Sequence, residues 1–291
     1  MKKFIAELLI IFFITFVVGE IICRAFPIVP DIPIKGNKQG YYLLTENQKG
    51  AYIRGKFPKW LSANYSVNNL GFNSNIDYLF NDHENKKIAL IGDSFIEGFQ
   101  VDVEKSIGRI MESINNKIRV YEFGLSGLNF FDYMDIYKKY NLQNFDYVFM
   151  VLDTNDVMAD KSEKVIFTEN LKIKEKFFRK IYNNFYFFKY LNWNHGFIRE
   201  IFRLINNLDI KLTKSNPEPF KPYDINSFVL DNKNIYLVMK SKKDTILKKY
   251  YPNLEFLSIK ETLTPINFGF DQHWNLNGRK NVANSLFKYI K

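Results

Sequence analysis

From Lys86 onward, apolar residues come in short unbroken runs separated by segments with helical spacing. The runs Ile88–Ile91, Val120–Phe123, Tyr147–Leu152, Ile235–Met239 and Leu254–Ile259 have the length and continuity of strands buried on both faces. Between them, Ile107, Ile110, Met111 and Ile114 fall at i, i+3, i+4 and i+7, one face of a helix. Phe130, Tyr133, Met134 and Tyr137 repeat that spacing, and Val282, Leu286 and Tyr289 share a face of the last segment. Strands alternating with helices predict an α/β fold with a mainly parallel sheet covered on both sides, a doubly wound three-layer α/β/α sandwich.

The N-terminus follows a different pattern. After Met1-Lys2-Lys3, an apolar stretch reaches from Phe4 to about Cys23, with no charge between Leu8 and Gly19. That is close to the roughly 20 residues needed to cross a bilayer. The stretch predicts an N-terminal transmembrane helix, with a cleaved signal peptide or a buried amphipathic helix as alternatives. Val17-Val18-Gly19 makes a poor cleavage site, and Glu7 is unusual in the apolar region of a signal peptide. Lys2 and Lys3 would stay inside and leave the rest of the chain outside the cytoplasmic membrane, although Arg24 and Lys35 reduce the asymmetry.

The expected organisation is therefore a membrane anchor over 1–25, a linker and collar over 26–85, and an α/β domain over 86–291. Pro27, Pro30 and Pro33 mark the linker, and 35–85 is polar, without a strong period, and reads as loop-rich. Residues 160–225 form an insertion dense in lysine and aromatics, including KFFRKIYNNFYFFKYLNW. Amphipathic helices are expected there, as an ordinary pair packed on the sheet or as a lid or membrane-resting surface.

Composition narrows the function classes. The net charge of +10 suits an anionic membrane surface or an acidic polymer, or simply a basic, solvated exterior. No zinc-finger, helix-turn-helix or RNP-like motif is present, so no nucleic-acid partner is expected. The one cysteine, Cys23, lies in the apolar N-terminal stretch, which leaves the domain without a disulfide, a cysteine nucleophile or a Cys/His zinc set. There is no Walker loop and no G-x-G-x-x-G, and Asp153, Asp156 and Asp160 do not have the spacing of an EF-hand loop. Neither a cofactor nor a metal is expected.

The chemistry gathers at the strand ends. The first predicted strand stops on Gly92-Asp93-Ser94, the second runs into Gly124-Leu125-Ser126-Gly127, and the third into Asp153-Thr154-Asn155-Asp156. In a doubly wound sheet these ends can be neighbours along one edge, bringing together a hydroxyl, a backbone N–H and an amide. Those are the parts of a serine nucleophile with its oxyanion hole. A base must come from three histidines. His83 sits in a charged loop and His195 in the insertion; His273 stands just before the last helix with Asp271 two residues away to orient it. Ser126 is a rival nucleophile, because Gly124-Leu125-Ser126-Gly127 nearly satisfies G-x-S-x-G, with the last glycine one place early.

Taken together, these residues resemble the SGNH/GDSL hydrolases, whose four motif blocks occur here in order over roughly 86–291. Gly92-Asp93-Ser94-Phe95 is similar to the nucleophile block, with Phe in place of the usual Leu; Gly124 and Gly127 match the second block, Asn155-Asp156 the third, and His273 the last. The Val67-Asn68-Asn69-Leu70-Gly71-Phe72 stretch and the closing His-Trp-Asn-x-x-Gly also look like membrane-anchored bacterial members. The resemblance implies an SGNH/flavodoxin-like fold, with Ser94 as nucleophile, Gly127 and Asn155 as oxyanion donors and His273 as base, while the nearby Asp271 would orient the histidine. It further implies ester hydrolysis through an acyl-enzyme, without cofactor, on O-acyl (acetyl) groups of cell-envelope glycans or on lipids. The same residues would serve an O-acyltransferase with a sugar hydroxyl as acceptor, and a non-catalytic envelope protein could retain the fold. The partners expected are thus an acylated glycan or lipid and, through the N-terminal helix, the membrane; the oligomeric state is left undefined.

Two positions depart from the family pattern. Asp153 stands where the third block has glycine, and a carboxylate there would oppose the developing oxyanion unless paired or turned away. Phe270 stands where the last block has its aspartate, so Asp271 is one residue closer to the histidine, leaving either a triad with a different turn or a Ser–His dyad.

Overall fold

A computed structural model describes residues 2–26, 28–31, 33–38, 41–56, 59–81, 84–158, 184–195, 225–241, 245–260 and 262–290. The chain opens with helix α1 (Lys2–Ala25). Two hairpins follow, β1 (Lys35–Lys38) with β2 (Tyr41–Leu44), and β3 (Lys49–Lys56) with β4 (Lys59–Ser66). The loop-rich reading of 35–85 missed them. The signal was the alternation in β4 and just beyond it, where Leu61, Ala63, Tyr65 and Val67 are buried and Trp60, Ser62 and Asn64 are exposed. That is the two-residue period of a strand with one face covered.

The five apolar runs become one parallel sheet: β5 (Lys86–Gly92), β6 (Ile118–Gly124), β7 (Tyr147–Leu152), β8 (Ile235–Met239) and β9 (Phe256–Ser258). Their spatial order is β6-β5-β7-β8-β9, and every pairing is parallel. This is the 2-1-3-4-5 order of doubly wound sheets, which reverses direction between its first and third strands, here β5 and β7. The connecting helices are α2 (Ser94–Glu97), α3 (Ile107–Ile114), α4 (Phe130–Lys139), α5 (Thr154–Met158), α6 (Tyr186–His195), α7 (Asn226–Asp231), α8 (Thr245–Tyr250) and α9 (Leu276–Phe287).

Both sheet faces are covered, which is why the central runs are apolar throughout. Ile88 and Leu90 pack with Ile107 and Met111 of α3 and with Val282 and Leu286 of α9. On α4, Phe130, Tyr133 and Tyr137 are buried, and the Tyr133 hydroxyl donates to the Val151 carbonyl at 3.3 Å. Edge-on aromatic pairs, Phe72 with Phe123 and Tyr78 with Tyr121, both at 5.2 Å, extend the core beyond the helices. Two members of the predicted stripes lie outside it. Ile114, the last residue of α3, is exposed, and Tyr289 falls beyond the end of α9.

The described residues form two compact units. One contains the sheet just described with α2 to α5 and α7 to α9. The other contains α1, residues 28–31 and 51–62, and α6. Within this second unit the Phe16 ring lies 5.4 Å from Phe185 and 5.2 Å from Phe188, and Glu20 accepts from the backbone N–H groups of Tyr186 and Phe187 at 3.2 and 2.9 Å. Arg24 pairs with Glu20 at 2.7 Å. Helix α6 belongs to the insertion of 160–225; the remainder of that insertion before 184 and from 196 to 224, along with His83 and Asp160, lies outside the described residues.

Candidate active site

Strand β5 ends where its apolar run ends. Asp93 follows Gly92 and caps α2, its Oδ1 accepting from the Phe95 N–H at 3.0 Å, which makes Ser94 the first residue of the helix. Helix α2 has only four residues, so its carbonyls need partners from elsewhere. Asn73 Nδ2 donates to the Glu97 carbonyl at 2.7 Å, and the buried Arg279 donates to the carbonyl of Gly98. On its inner side α2 lies directly on Gly124, where a Cβ would come within 2.1 Å of the Glu97 backbone nitrogen. The glycine of the second strand end thus lets α2 sit down on β6.

The histidine that meets Ser94 arrives from the far end of the chain. His273 Nε2 lies 2.8 Å from Ser94 Oγ, and His273 Nδ1 lies 2.5 Å from Asp271 Oδ1. The same Oδ1 accepts from the His273 backbone N–H at 2.9 Å, a tight turn that lets an aspartate two residues away reach the ring. Asp271 is buried and Phe270 is exposed, so the carboxylate of this triad geometry comes from position 271. Asn275 holds the loop in place: its Oδ1 caps α9 through Gly278 N at 2.9 Å, and its Nδ2 donates to the carbonyls of Pro265 and Asn267 at 3.1 and 2.8 Å. The Phe95 ring lies 4.9 Å from His273 and 4.9 Å from Trp274, so Phe95 packs against both rings.

Gly127 sits on the loop after β6 and Asn155 in the first turn of α5, after β7, at the same sheet edge as Ser94. Gly127 has φ +86°, a conformation that favours glycine, and both residues are exposed. Ser126 does not meet a histidine here. Its N–H donates to Glu97 Oε2 at 3.0 Å, and its hydroxyl donates to the same oxygen. Burial pushes the Glu97 carboxyl up to about 7, against the lowering effect of its bonds from Ser126.

Asp153 is turned into helix capping and is paired. Its Oδ1 accepts from the Asn155 N–H at 2.8 Å, and Asp156 Oδ2 accepts from the Asp153 N–H at 2.8 Å. Lys240, immediately after β8, extends its ammonium into this edge and reaches Asp93 at 2.9 Å, Asp153 at 3.2 Å and Asp156 at 2.9 Å. Burial disfavours the lysine charge, but Asp156, Asp93 and Asp153 outweigh it and hold Lys240 above the ordinary lysine range. Burial likewise raises Asp156, to about 7, with Lys240 opposing. Asn73, Glu97, Lys240 and Arg279 were not apparent as site residues in the sequence. Only Lys240 carried a local signal, a lysine placed directly after a fully apolar strand.

No family model and no curated protein matches the chain. Among solved structures it is similar to a protein described as a lipolytic member of the G-D-S-L family from Desulfitobacterium hafniense, with 12% identity, a TM-score of 0.37, and coverage of 71% of this chain and 100% of that one. A second protein of the lipolytic G-D-S-L family, from Veillonella parvula, matches with 13% identity, TM-score 0.37, and 70% and 98% coverage. An alpha/beta hydrolase enzyme from the metagenome of Lake Arreo, Spain, matches with 11% identity, TM-score 0.30, and 70% and 94% coverage. The doubly wound assignment itself rests on this chain's own strand order and parallel register.

Proposed function

We propose that this chain is a serine ester hydrolase working through an acyl-enzyme, on O-acyl groups of cell-envelope glycans or on lipids. The observation that carries the reading is the Ser94–His273–Asp271 relay, with contacts of 2.8 and 2.5 Å, at the carboxyl edge of a doubly wound sheet. With Nδ1–H donating to Asp271, the Nε2 lone pair faces the Ser94 hydroxyl and takes its proton as Oγ attacks the ester carbonyl. The backbone N–H groups of Ser94 and Gly127 and the Asn155 amide would hold the oxyanion. His273 then protonates the leaving alcohol, and water, activated by the same ring, releases the acid.

We further infer that α1 is a retained anchor and that the site works outside the cytoplasmic membrane. The helix is long and apolar enough to span: it runs 23 residues, and an 18-residue stretch within it has a mean hydropathy of 2.5. Its last turns also serve the fold, since Glu20 satisfies two N–H groups at the start of α6. Cleavage after export would leave those donors without their carboxylate.

The test is hydrolysis of a short-chain p-nitrophenyl ester by the full chain in detergent micelles, beside Ser94→Ala and His273→Ala. Loss of turnover in both variants, with a fluorophosphonate adduct mapped to Ser94, supports the reading. Equal activity in all three overturns it. No turnover and no adduct would identify a binding protein instead, and acyl transfer to an added glycan in preference to water would identify a transferase.

A further inference from the structure

Four side chains beside Ser94 are left over by the proposed reaction: Lys240 and the three aspartates it gathers. Lys240 is buried, and an ammonium has three donors. All three are used, on Asp93 Oδ2, Asp153 Oδ2 and Asp156 Oδ2 at 2.9, 3.2 and 2.9 Å. Those three carboxylates are not equivalent parts of the scaffold. Asp93 caps the helix that begins with Ser94, while Asp153 and Asp156 bracket the first turn of the helix that carries Asn155. One cation therefore joins the nucleophile's helix to the helix of the proposed amide donor. It also lies 5.2 Å from the ring of Phe95, which packs on His273.

We propose that Lys240 is a positioning residue for the reaction at Ser94: it holds the ends of α2 and α5 together and neutralises Asp153, whose charge would otherwise oppose the oxyanion. The proposal rests on the serine-hydrolase reading above. Its physical basis is that negative charge grows on the substrate oxygen in the transition state, so nearby anions raise the barrier and a fixed cation lowers it. Asp153 places a carboxylate beside the proposed amide donor Asn155, and Lys240 supplies the compensating charge from the end of β8. Asp156 is raised chiefly by burial, with the neighbouring Asp153 and Asp93 adding to it and Lys240 opposing.

The experiment is a substitution cycle on ester hydrolysis by the full chain in micelles. Lys240→Met is expected to lower kcat on the order of 10²-fold with KM changed less than about threefold, because the loss falls on transition-state charge. Lys240→Arg should recover most of that loss. Lys240→Met combined with Asp153→Asn should recover at least about tenfold over Lys240→Met alone, since asparagine still caps a helix but carries no charge. A purely structural lysine would give no such charge-dependent rescue. If Lys240→Met alone does not fold, the cycle is run in an Asp153→Asn, Asp156→Asn background, where losing Lys240 should cost less than about threefold in kcat. A loss on the order of 10² there overturns the proposal, as does an undiminished kcat in folded Lys240→Met or the absence of rescue by Asp153→Asn. Wild-type protein that neither turns over ester nor labels at Ser94 would overturn the hydrolase reading and this proposal together. Wild-type turnover indifferent to Lys240 would overturn this one alone.

Discussion

Asp271 Oδ1 accepts from two groups of the same residue, His273, taking the ring Nδ1 at 2.5 Å and the backbone N–H at 2.9 Å. One oxygen therefore sets both the turn of the loop and the orientation of the imidazole. An aspartate one residue further from the histidine would need a wider turn. Here the shorter spacing is accommodated because the backbone N–H of His273 folds back onto the carboxylate.

Asp271→Asn is expected to lower kcat on the order of 10²–10⁴-fold, because an amide can hold the wrong tautomer on His273 while keeping the loop intact. Steady-state ester hydrolysis reads the effect. A change under threefold would mean that the serine and histidine act as a dyad.

Asn155→Ala should cost on the order of 10²–10³ in kcat with KM little changed, the signature of a donor used mainly in the transition state. Removal of the side chain leaves the backbone N–H that Asp153 accepts, so the start of α5 should persist. An unchanged kcat would remove Asn155 from the oxyanion hole.

Gly124→Ala is expected to destabilise the fold by about 3 kcal/mol, at the upper end of overpacking costs, since the added methyl would meet the backbone of α2 rather than a movable side chain. Urea unfolding followed by tryptophan fluorescence measures it. The same variant should lose activity out of proportion to its stability, because α2 carries Ser94.

Glu97 supplies a pH prediction. Its folded carboxyl is raised to about 7 from the ordinary 4.5, chiefly by burial. Between those values the native state binds the proton more than the unfolded chain does, so this group's contribution is full below 4.5 and is lost as pH rises through 7. Glu97→Gln should flatten the decline of stability across that window. A wild-type profile with the same slope as the variant would show that Glu97 ionises normally.

An epitope placed at the N-terminus should remain on the protein recovered from membranes, because Glu20 and Phe16 bind α6. Recovery of a chain lacking α1 as the main form would refute a retained anchor.

Much of the fold was readable in order along the chain. Strands buried on both faces must be apolar at every position, and helices covering them must repeat at 3.6, so both patterns survive in the sequence. The hairpins of 35–66 were lost to that reading because their alternation is short and diluted by Gly, Asn and Lys. Ser94 and His273 stood out as candidates because each sits at the boundary of a strongly patterned element with few rivals of its type. Lys240, Arg279, Asn73 and Glu97 were not, since each works through a partner distant in sequence that no local period encodes.

By itself, then, the sequence determined the alternation of elements, the apolar N-terminal helix, and the short set of groups able to do serine chemistry. The tertiary structure decided which of them meet. It joined His273 to Ser94 across the sheet edge, made Asp271 the partner of the histidine, and engaged Ser126 with Glu97. It also made Asp153 a helix-capping group paired with Lys240. The reason is physical: periodicity reports which face of an element is buried, whereas hydrogen bonds and ion pairs depend on separations of about 3 Å between atoms that only the packed chain brings together.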